Sequence, residues 1–303
     1  MDDTRKPLAA IKAQDKQCMI TVLLDIQKHR IQQPKSLSFM KELECLYVKQ
    51  GRGNSGSVVL GRELINAKQN NNYVAASYTW EESEDEISSN GGYLVEQRRG
   101  SGEEISEIRD CVFNRLINYL DFVCCRNLWI DRESIDQRDK KAQQIAVQAM
   151  DLVYSWSKYP VALLSKPIRS DGSLDTLIRL LRGDFVNRKT APFKLSTGIS
   201  PEEAWRAVEL LQTMTSDRWW TRAWTFQEDY RASIKMILLI PHEHSLETKK
   251  LNANAASGKP LLGRLRGELM VNSADFREEA TKLCVAFKKQ TEDEDQQRVC
   301  NDI

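Results

Sequence analysis

Glu228 is the side chain best placed for chemistry, because of what precedes it. The segment Asp217-Arg218-Trp219-Trp220-Thr221-Arg222-Ala223-Trp224-Thr225-Phe226-Gln227-Glu228 holds three of the chain's seven tryptophans within six positions. On one continuous helix, Trp220, Trp224 and Glu228 stand at i, i+4 and i+8 and share a face. A carboxylate at the end of an aromatic stripe loses water on its apolar side, and desolvation is how proteins tune a catalytic carboxyl. The plain alternative is a helix whose tryptophans are core and whose glutamate faces solvent.

A catalytic carboxylate needs elements to hold it and its neighbours. Residues 73–78 are a short apolar run suited to a buried strand, and Leu128-Trp129-Ile130 is a second, ending at Asp131. Between them Val112, Leu116, Tyr119, Leu120 and Val123 recur with helical period. Asp139 is placed to cap a helix whose buried face is Ala146, Ala149, Met150 and Val153. Pro160 stops that helix, and residues 161–164 read as a third strand. Alternating strands and helices with short links predict an α/β fold, a parallel sheet with helices on both faces. Ligands gather at the carboxyl ends of such strands. Here those ends carry Ser77-Tyr78-Thr79-Trp80-Glu81 and Asp131-Arg132-Glu133-Ser134. Asp131 there needs a partner, such as Arg222 or a backbone amide, or serves as the cap of the following turn.

Other motifs carry less. Gly51-Arg52-Gly53-Asn54-Ser55-Gly56 matches G-x-G-x-x-G, but the residues after it read as extended rather than helical, and no H-R-D or D-F-G follows. His242-Glu243-His244 offers two imidazoles, yet His29 is the only other histidine and no cysteine is near, so a surface loop is expected and no metal. Lys plus Arg (44) balances Asp plus Glu (43), which gives no global field for nucleic acid. No apolar run approaches the roughly 18 residues of a membrane span, and the N-terminal residues lack the apolar core of a signal peptide. Seven scattered cysteines without C-x-x-C spacing suggest free thiols in a reducing compartment. A soluble, cytoplasmic protein is expected.

Three regions follow: 1–70 as an N-terminal extension, 71–241 as the main domain with an insertion at about 166–215, and 242–303 as a partly helical C-terminal extension. Ser200-Pro201-Glu202-Glu203 is a helix start with a capping box. Residues 234–240 predict a strand, 243–259 a polar loop, 276–289 a last helix, and 291–303 a fraying tail.

Taken together, three segments resemble the signatures of the fungal heterokaryon incompatibility (HET) domain. They are Ser77-Tyr78-Thr79-Trp80-Glu81, the run Leu128-Trp129-Ile130-Asp131-Arg132-Glu133-Ser134-Ile135-Asp136-Gln137, and Arg222-Ala223-Trp224-Thr225-Phe226-Gln227-Glu228. The likeness covers about residues 73–240. The chain departs from the pattern with Glu81 for a glycine, Ser134 for a cysteine and Asp136 for an asparagine. Ser134 rules out a thiol nucleophile there, and Glu81 adds negative charge beside the expected pocket.

The HET domain is in turn similar to Toll/interleukin-1 receptor (TIR) domains, which share a flavodoxin-like parallel sheet. Many of them cleave NAD with a glutamate four residues after a tryptophan, the spacing of Trp224 and Glu228. The resemblance implies that Glu228 is catalytic, and that Ser77, Tyr78, Trp80, Asp131, Arg222 and Trp224 shape a pocket for NAD or a related nucleotide. NAD would be the substrate, and no cofactor or metal is implied. Nicotinamide leaves readily as a cationic group, so a carboxylate beneath the ribose need only stabilise an oxocarbenium-like sugar while an aromatic face stacks the departing ring. A role in non-self recognition or cell death follows, with self-association or a signalling partner. The alternative is a non-enzymatic module that self-associates, pairing the acidic loop 81–86 with the basic segment 182–194.

Overall fold

Strand β3 (Tyr73–Ser77) is buried at every residue, which places it centrally in the first of two units. The computed structural model describes residues 34–52, 57–86, 89–99, 101–189, 192–256 and 260–303. Residues 1–33 of the expected N-terminal extension and most of the glycine motif at 51–56 lie outside them. Unit 1 comprises the described residues through Leu163 together with Thr221–Met236, and unit 2 comprises Leu164–Trp220 and Ile237–Ile303.

In chain order, unit 1 begins with α1 (Pro34–Lys41), β1 (Leu43–Arg52), β2 (Val58–Ile65) and β3, then β4 (Tyr93–Glu96) and β5 (Glu103–Ile105). It continues with α2 (Asp110–Phe122), β6 (Asn127–Ile130), the single turn α3 (Asp131–Ser134), α4 (Lys140–Trp156) and β7 (Tyr159–Leu163). Its strands lie in the order β7-β3-β6-β1-β2-β4-β5. The core β7-β3-β6 is parallel, with Ala75 opposite Trp129 on one side and Pro160 on the other. The chain leaves β3 first for one neighbour and later for the other. Right-handed connections then put α2 and α4 on opposite faces and open a switch point at the carboxyl end of β3.

Within the expected N-terminal extension, residues 43–65 are part of this sheet. β1 pairs antiparallel with β6 and with β2, and β2 pairs in parallel with β4, so the sheet is mixed around its parallel core. The segment 43–65 alternates too irregularly for sequence to reveal strands that take their partners from residues far along the chain.

Helix α4 starts where Asp139 accepts from the Lys141 and Ala142 amides, as expected of an N-cap. Three of its groups grip the backbone of β3: Tyr73 Oη donates to Val153 O at 2.6 Å, Ser157 Oγ to Tyr73 O at 2.8 Å, and Tyr154 Oη to Ala76 O at 3.1 Å. The Tyr154 ring meets Trp129 edge-on at 5.9 Å. Side chains of this size contribute about 2–3 kcal/mol each by burial.

Unit 2 carries α5 (Asp171–Arg182), the short pair β8 (Val186–Asn187) and β9 (Lys194–Leu195), and α6 (Pro201–Thr215). After α7 (Arg218–Thr221) and α8 (Ala223–Ala232) the chain continues into β10 (Ile237–Pro241), α9 (Glu247–Ala256), β11 (Glu268–Asn272), α10 (Ser273–Lys288) and α11 (Glu294–Asp302). β10 and β11 pair antiparallel. Ser200 caps α6 through the Glu203 amide at 3.1 Å, with Pro201 in its first turn.

Two segments expected to be irregular are helical. Within 243–259, α9 forms because Lys250 is fully buried and satisfied, donating to Glu247 Oε1 at 2.6 Å and to Leu265 O at 2.8 Å. Within 291–303, Asp293 caps α11 through the Asp295 and Gln296 amides. His242 is not in an open loop: its Nε2 meets Glu247 Oε2 at 3.1 Å. No described helix is long and apolar enough to cross a membrane.

Candidate active site

The tryptophan segment is two helices. α7 ends at Thr221, Arg222 adopts extended backbone (φ −85°, ψ 132°), and α8 restarts at Ala223. Trp220 is therefore on a different helix from Glu228, whereas Trp224 and Glu228 keep their i and i+4 places on α8, so the three-residue stripe expected from spacing is cut after its first member. The cause lies upstream. Buried Asp217 accepts from the Ser165 amide (2.7 Å), the Lys166 amide (2.9 Å) and the Trp219 amide (2.9 Å), which fixes the chain's direction before the break. Trp219 and Trp220 belong to the core of unit 2, where Trp220 stacks on Phe276 at 5.9 Å. Trp224 lies half-buried on α8.

In unit 1, α8 packs along α4. Its inward positions are Thr225, Glu228 and Asp229, and its outward ones Phe226 and Tyr230. Arg231 holds it to Asp151 of α4 at 3.0 Å. Beyond its end, Lys235 Nζ donates to the Ser155 and Ser157 carbonyls at 2.6 and 2.7 Å, which satisfies the carboxyl end of α4. At its start Thr225 Oγ1 donates to Arg222 O at 2.6 Å.

That placement brings Glu228 to the carboxyl end of β3. Ser77 Oγ donates to Glu228 Oε2, and Arg222 Nη1 donates to the Tyr78 carbonyl. Glu228 is only 5% exposed, so its carboxylate is buried and not open to solvent at the expected pocket. Burial pushes its pKa up to about 7, against the Arg222 charge and the Ser77 hydrogen bond, while Asp131 adds to the rise. A carboxyl of this kind exists in both protonation states at neutral pH.

Asp131 begins α3 directly after β6 and is half-buried. Its partners are Trp80 Nε1 at 2.9 Å and the Arg132 amide at 2.6 Å. Arg222 acts on Asp131 through its charge, but its hydrogen bond goes to Tyr78 O, so of the two expected partners the backbone amide holds. Burial raises the Asp131 pKa, and the Trp80 hydrogen bond and Arg222 oppose the rise. Ser134 closes the turn by accepting from the Ile130 amide at 3.1 Å, a structural task at the position where a cysteine is usual. The Glu133 carboxylate is gripped by Ser106 at 2.6 Å and Arg62 at 2.8 Å, and Gln137 Nε2 donates to Asp131 O at 3.2 Å.

Trp80 is exposed, with the Arg132 guanidinium over its ring at 5.2 Å. Tyr78 is buried and its hydroxyl has no hydrogen-bond partner among the described residues. Such an orphan is costly in a folded protein and suits a site that takes a polar ligand atom. Burial and Asp131 both push its pKa up.

Two contributors escaped the sequence reading. Buried Arg109 donates to Trp80 O at 2.7 Å, Thr79 O at 3.0 Å and Glu86 Oε2 at 2.9 Å, pinning the loop after β3. Tyr154, at a helix position that reads as core, feels both Glu228 and Asp131, which with burial raise its pKa. Neither has a sequence signal, because each works through the backbone of a distant loop. The glutamate, Ser77, Tyr78, Trp80, Asp131 and Arg222 thus gather within unit 1 at one end of its parallel core. A cavity of about 540 Å³ lies in unit 2, lined among others by Trp205, Arg206, Phe287 and Asp293, and none of these predicted residues lines it.

No curated protein and no solved structure matches the chain. A family model does: that described as Heterokaryon incompatibility protein (HET) matches residues 73–228. The match begins with the first residue of β3 and ends on Glu228, so it spans every segment that builds this site. With more than half of its length inside that match, the chain belongs to the heterokaryon incompatibility (HET) family.

Proposed function

We propose that this site hydrolyses the nicotinamide–ribose bond of NAD, as part of a cell-death or non-self response. The observation that carries the reading is Glu228, a buried carboxylate poised near neutrality at the carboxyl end of β3. Its neighbours fit the task. Arg222 supplies positive charge for a pyrophosphate, and Tyr78 and Trp80 supply a free hydroxyl and an aromatic face. In the reaction the glycosidic bond breaks with its electrons passing to nicotinamide. Ionised Glu228 stabilises the cationic ribose, and water adds at the same carbon, giving ADP-ribose, nicotinamide and a proton. Substrate entry on this reading displaces the Ser77 hydrogen bond and moves α8 off the end of β3.

Purified protein at high concentration, incubated with NAD and followed by nicotinamide release, tests this. Turnover is expected, and Glu228→Gln should reduce it by about 100-fold or more. No release by the native protein would remove the NAD reading, and undiminished release by the variant would remove Glu228 from it. Self-association through the two charged segments has less support. Glu86 is committed to Arg109 at 2.9 Å and Arg188 to Glu279 at 2.8 Å. Light scattering with and without NAD separates the readings.

A further inference from the structure

Helix α8 reverses the usual arrangement of a surface helix. Its buried residues, among those described, are Thr225, Glu228, Asp229 and Ala232. The rings of Phe226 and Tyr230 are turned outward and stack on each other at 6.2 Å. A helix normally docks through an apolar stripe, which supplies most of its hold. Here the Ala232 methyl is the only fully buried apolar side chain among the described residues of the helix. By contrast α4, against which α8 packs, buries Ala146, Ala149, Met150, Leu152, Val153 and Tyr154.

Polar contacts therefore hold α8 down. Ser77 Oγ donates to Glu228 Oε2, and Arg231 meets Asp151 of α4 at 3.0 Å. When the helix lifts, the partners in both contacts meet water instead, so opening costs less than stripping a packed apolar face.

Each end of α8 is a backbone break with an anchor beside it. Before the helix, Arg222 is extended and its guanidinium donates to the Tyr78 carbonyl. After it, Ser233 adopts φ 56°, ψ −136°, and only one other non-glycine residue among those described has positive φ. A residue with a side chain disfavours that conformation, so the break is strained while the helix is down. Just beyond, Lys235 is fastened to the Ser155 and Ser157 carbonyls.

We propose that α8 is a lid over the carboxyl end of β3, pivoting as a unit at Arg222 and Ser233. Opening breaks the Ser77 and Asp151 contacts and carries the Glu228 carboxylate away. A ligand then reaches Ser77 and the Tyr78 hydroxyl, which has no hydrogen-bond partner among the described residues. Closing returns the carboxylate and excludes water from the site. The inference rests on the reading of Glu228 as the working carboxylate, but the motion belongs to the free protein and needs no NAD.

Hydrogen–deuterium exchange of the full chain without NAD, resolved by amide, measures it. Amides of residues 227–232 should exchange at least about 10-fold faster than those in the middle of α4, at a rate that low urea does not change, the mark of local opening. Ser233 is exposed, so Ser233→Val acts through the backbone alone. A β-branched side chain penalises the closed conformation further and should speed exchange of α8 about 10-fold, with β3 and β6 unchanged. Equal protection of α8 and α4, accelerated alike by urea, would mean that α8 leaves only on global unfolding and is no lid. Unchanged exchange in Ser233→Val overturns the hinge. Should that variant fail to fold, the exchange map of the native chain still decides. With no substrate present, a negative NAD assay leaves an opening α8 standing, and a rigid α8 leaves the NAD assay untouched.

Discussion

Ser77 Oγ donates to Glu228 Oε2, joining the last residue of β3 to a buried carboxylate 151 positions further along the chain. Within unit 1 this bond sets where α8 ends up relative to the sheet. It also biases a carboxyl whose burial favours the neutral form toward the ionised one. The two effects can be measured separately.

Removing the donor should move the titration. Ser77 is among the groups that hold the Glu228 pKa down, so Ser77→Ala should raise it further above about 7. A hydrogen bond to a charged group of this strength corresponds to a midpoint rise of about one pH unit. Carbon-detected titration of the labelled glutamates would read it. If NAD cleavage requires the ionised form, the rising limb of its pH–rate profile should move up by the same amount. A midpoint that stays or falls contradicts the assignment.

Stability should depend on pH through the same group. The folded Glu228 pKa of about 7 lies above its ordinary value of 4.5, so the folded protein holds this proton more tightly than the unfolded chain. Below pH 4.5 burial therefore costs nothing through ionisation. The cost grows as pH rises toward 7 and is full above it, reaching about 3–3.5 kcal/mol. Glu228→Gln should consequently stabilise the protein at pH 8 and leave it nearly unchanged at pH 4.5. Urea denaturation at the two pH values, compared with the native chain, checks the sign.

The hold of α8 on α4 predicts a larger loss. Arg231→Ala leaves the Asp151 carboxylate buried without the partner it meets at 3.0 Å. Removal of one member of a buried pair costs about 3–5 kcal/mol, most of it the stranded charge. The double variant Arg231→Ala/Asp151→Ala should recover part of that loss. Thermal denaturation of the three variants gives the comparison, and a double variant no better than the single would show that the pair itself matters little.

The turn after β6 gives a finer test. Ser134→Ala deprives the buried Ile130 amide of its acceptor, at a cost of about 1–2 kcal/mol. Ser134→Cys supplies only a weak acceptor and should fall between the alanine variant and the native chain. Denaturant midpoints rank the three. A cysteine variant as unstable as alanine would mean that sulfur cannot close this turn.

Much of what could be read locally was read, although the cap at Asp293, which acts on amides two and three residues away, was missed. β3, β6 and β7 are short apolar runs ended by polar residues or proline, and the caps Asp139 and Ser200 act on amides two or three residues away. These signals depend on a residue and its immediate neighbours, which a sequence contains in full. The gathering of Ser77, Asp131 and Glu228 was legible in outline for a related reason: parallel strands present their carboxyl ends together, and each of these residues follows or meets such an end.

Tertiary structure decided the rest. Helical spacing put Trp220, Trp224 and Glu228 on one face, but the bonds from Asp217 to the Ser165 and Lys166 amides turn the chain before Arg222, and periodicity holds no information about such anchors. Asp131 could have paired with Arg222 on charge alone, yet Trp80 reaches it first and Arg222 spends its donor on the Tyr78 carbonyl. β1 and β2 pair with each other, but their place in the sheet is set by residues 93–95 and 128, and α9 forms around a lysine whose acceptors lie up to 18 residues away. Spacing along a chain fixes which side chains share an element, whereas a buried polar group takes the partner that the packed fold leaves within reach.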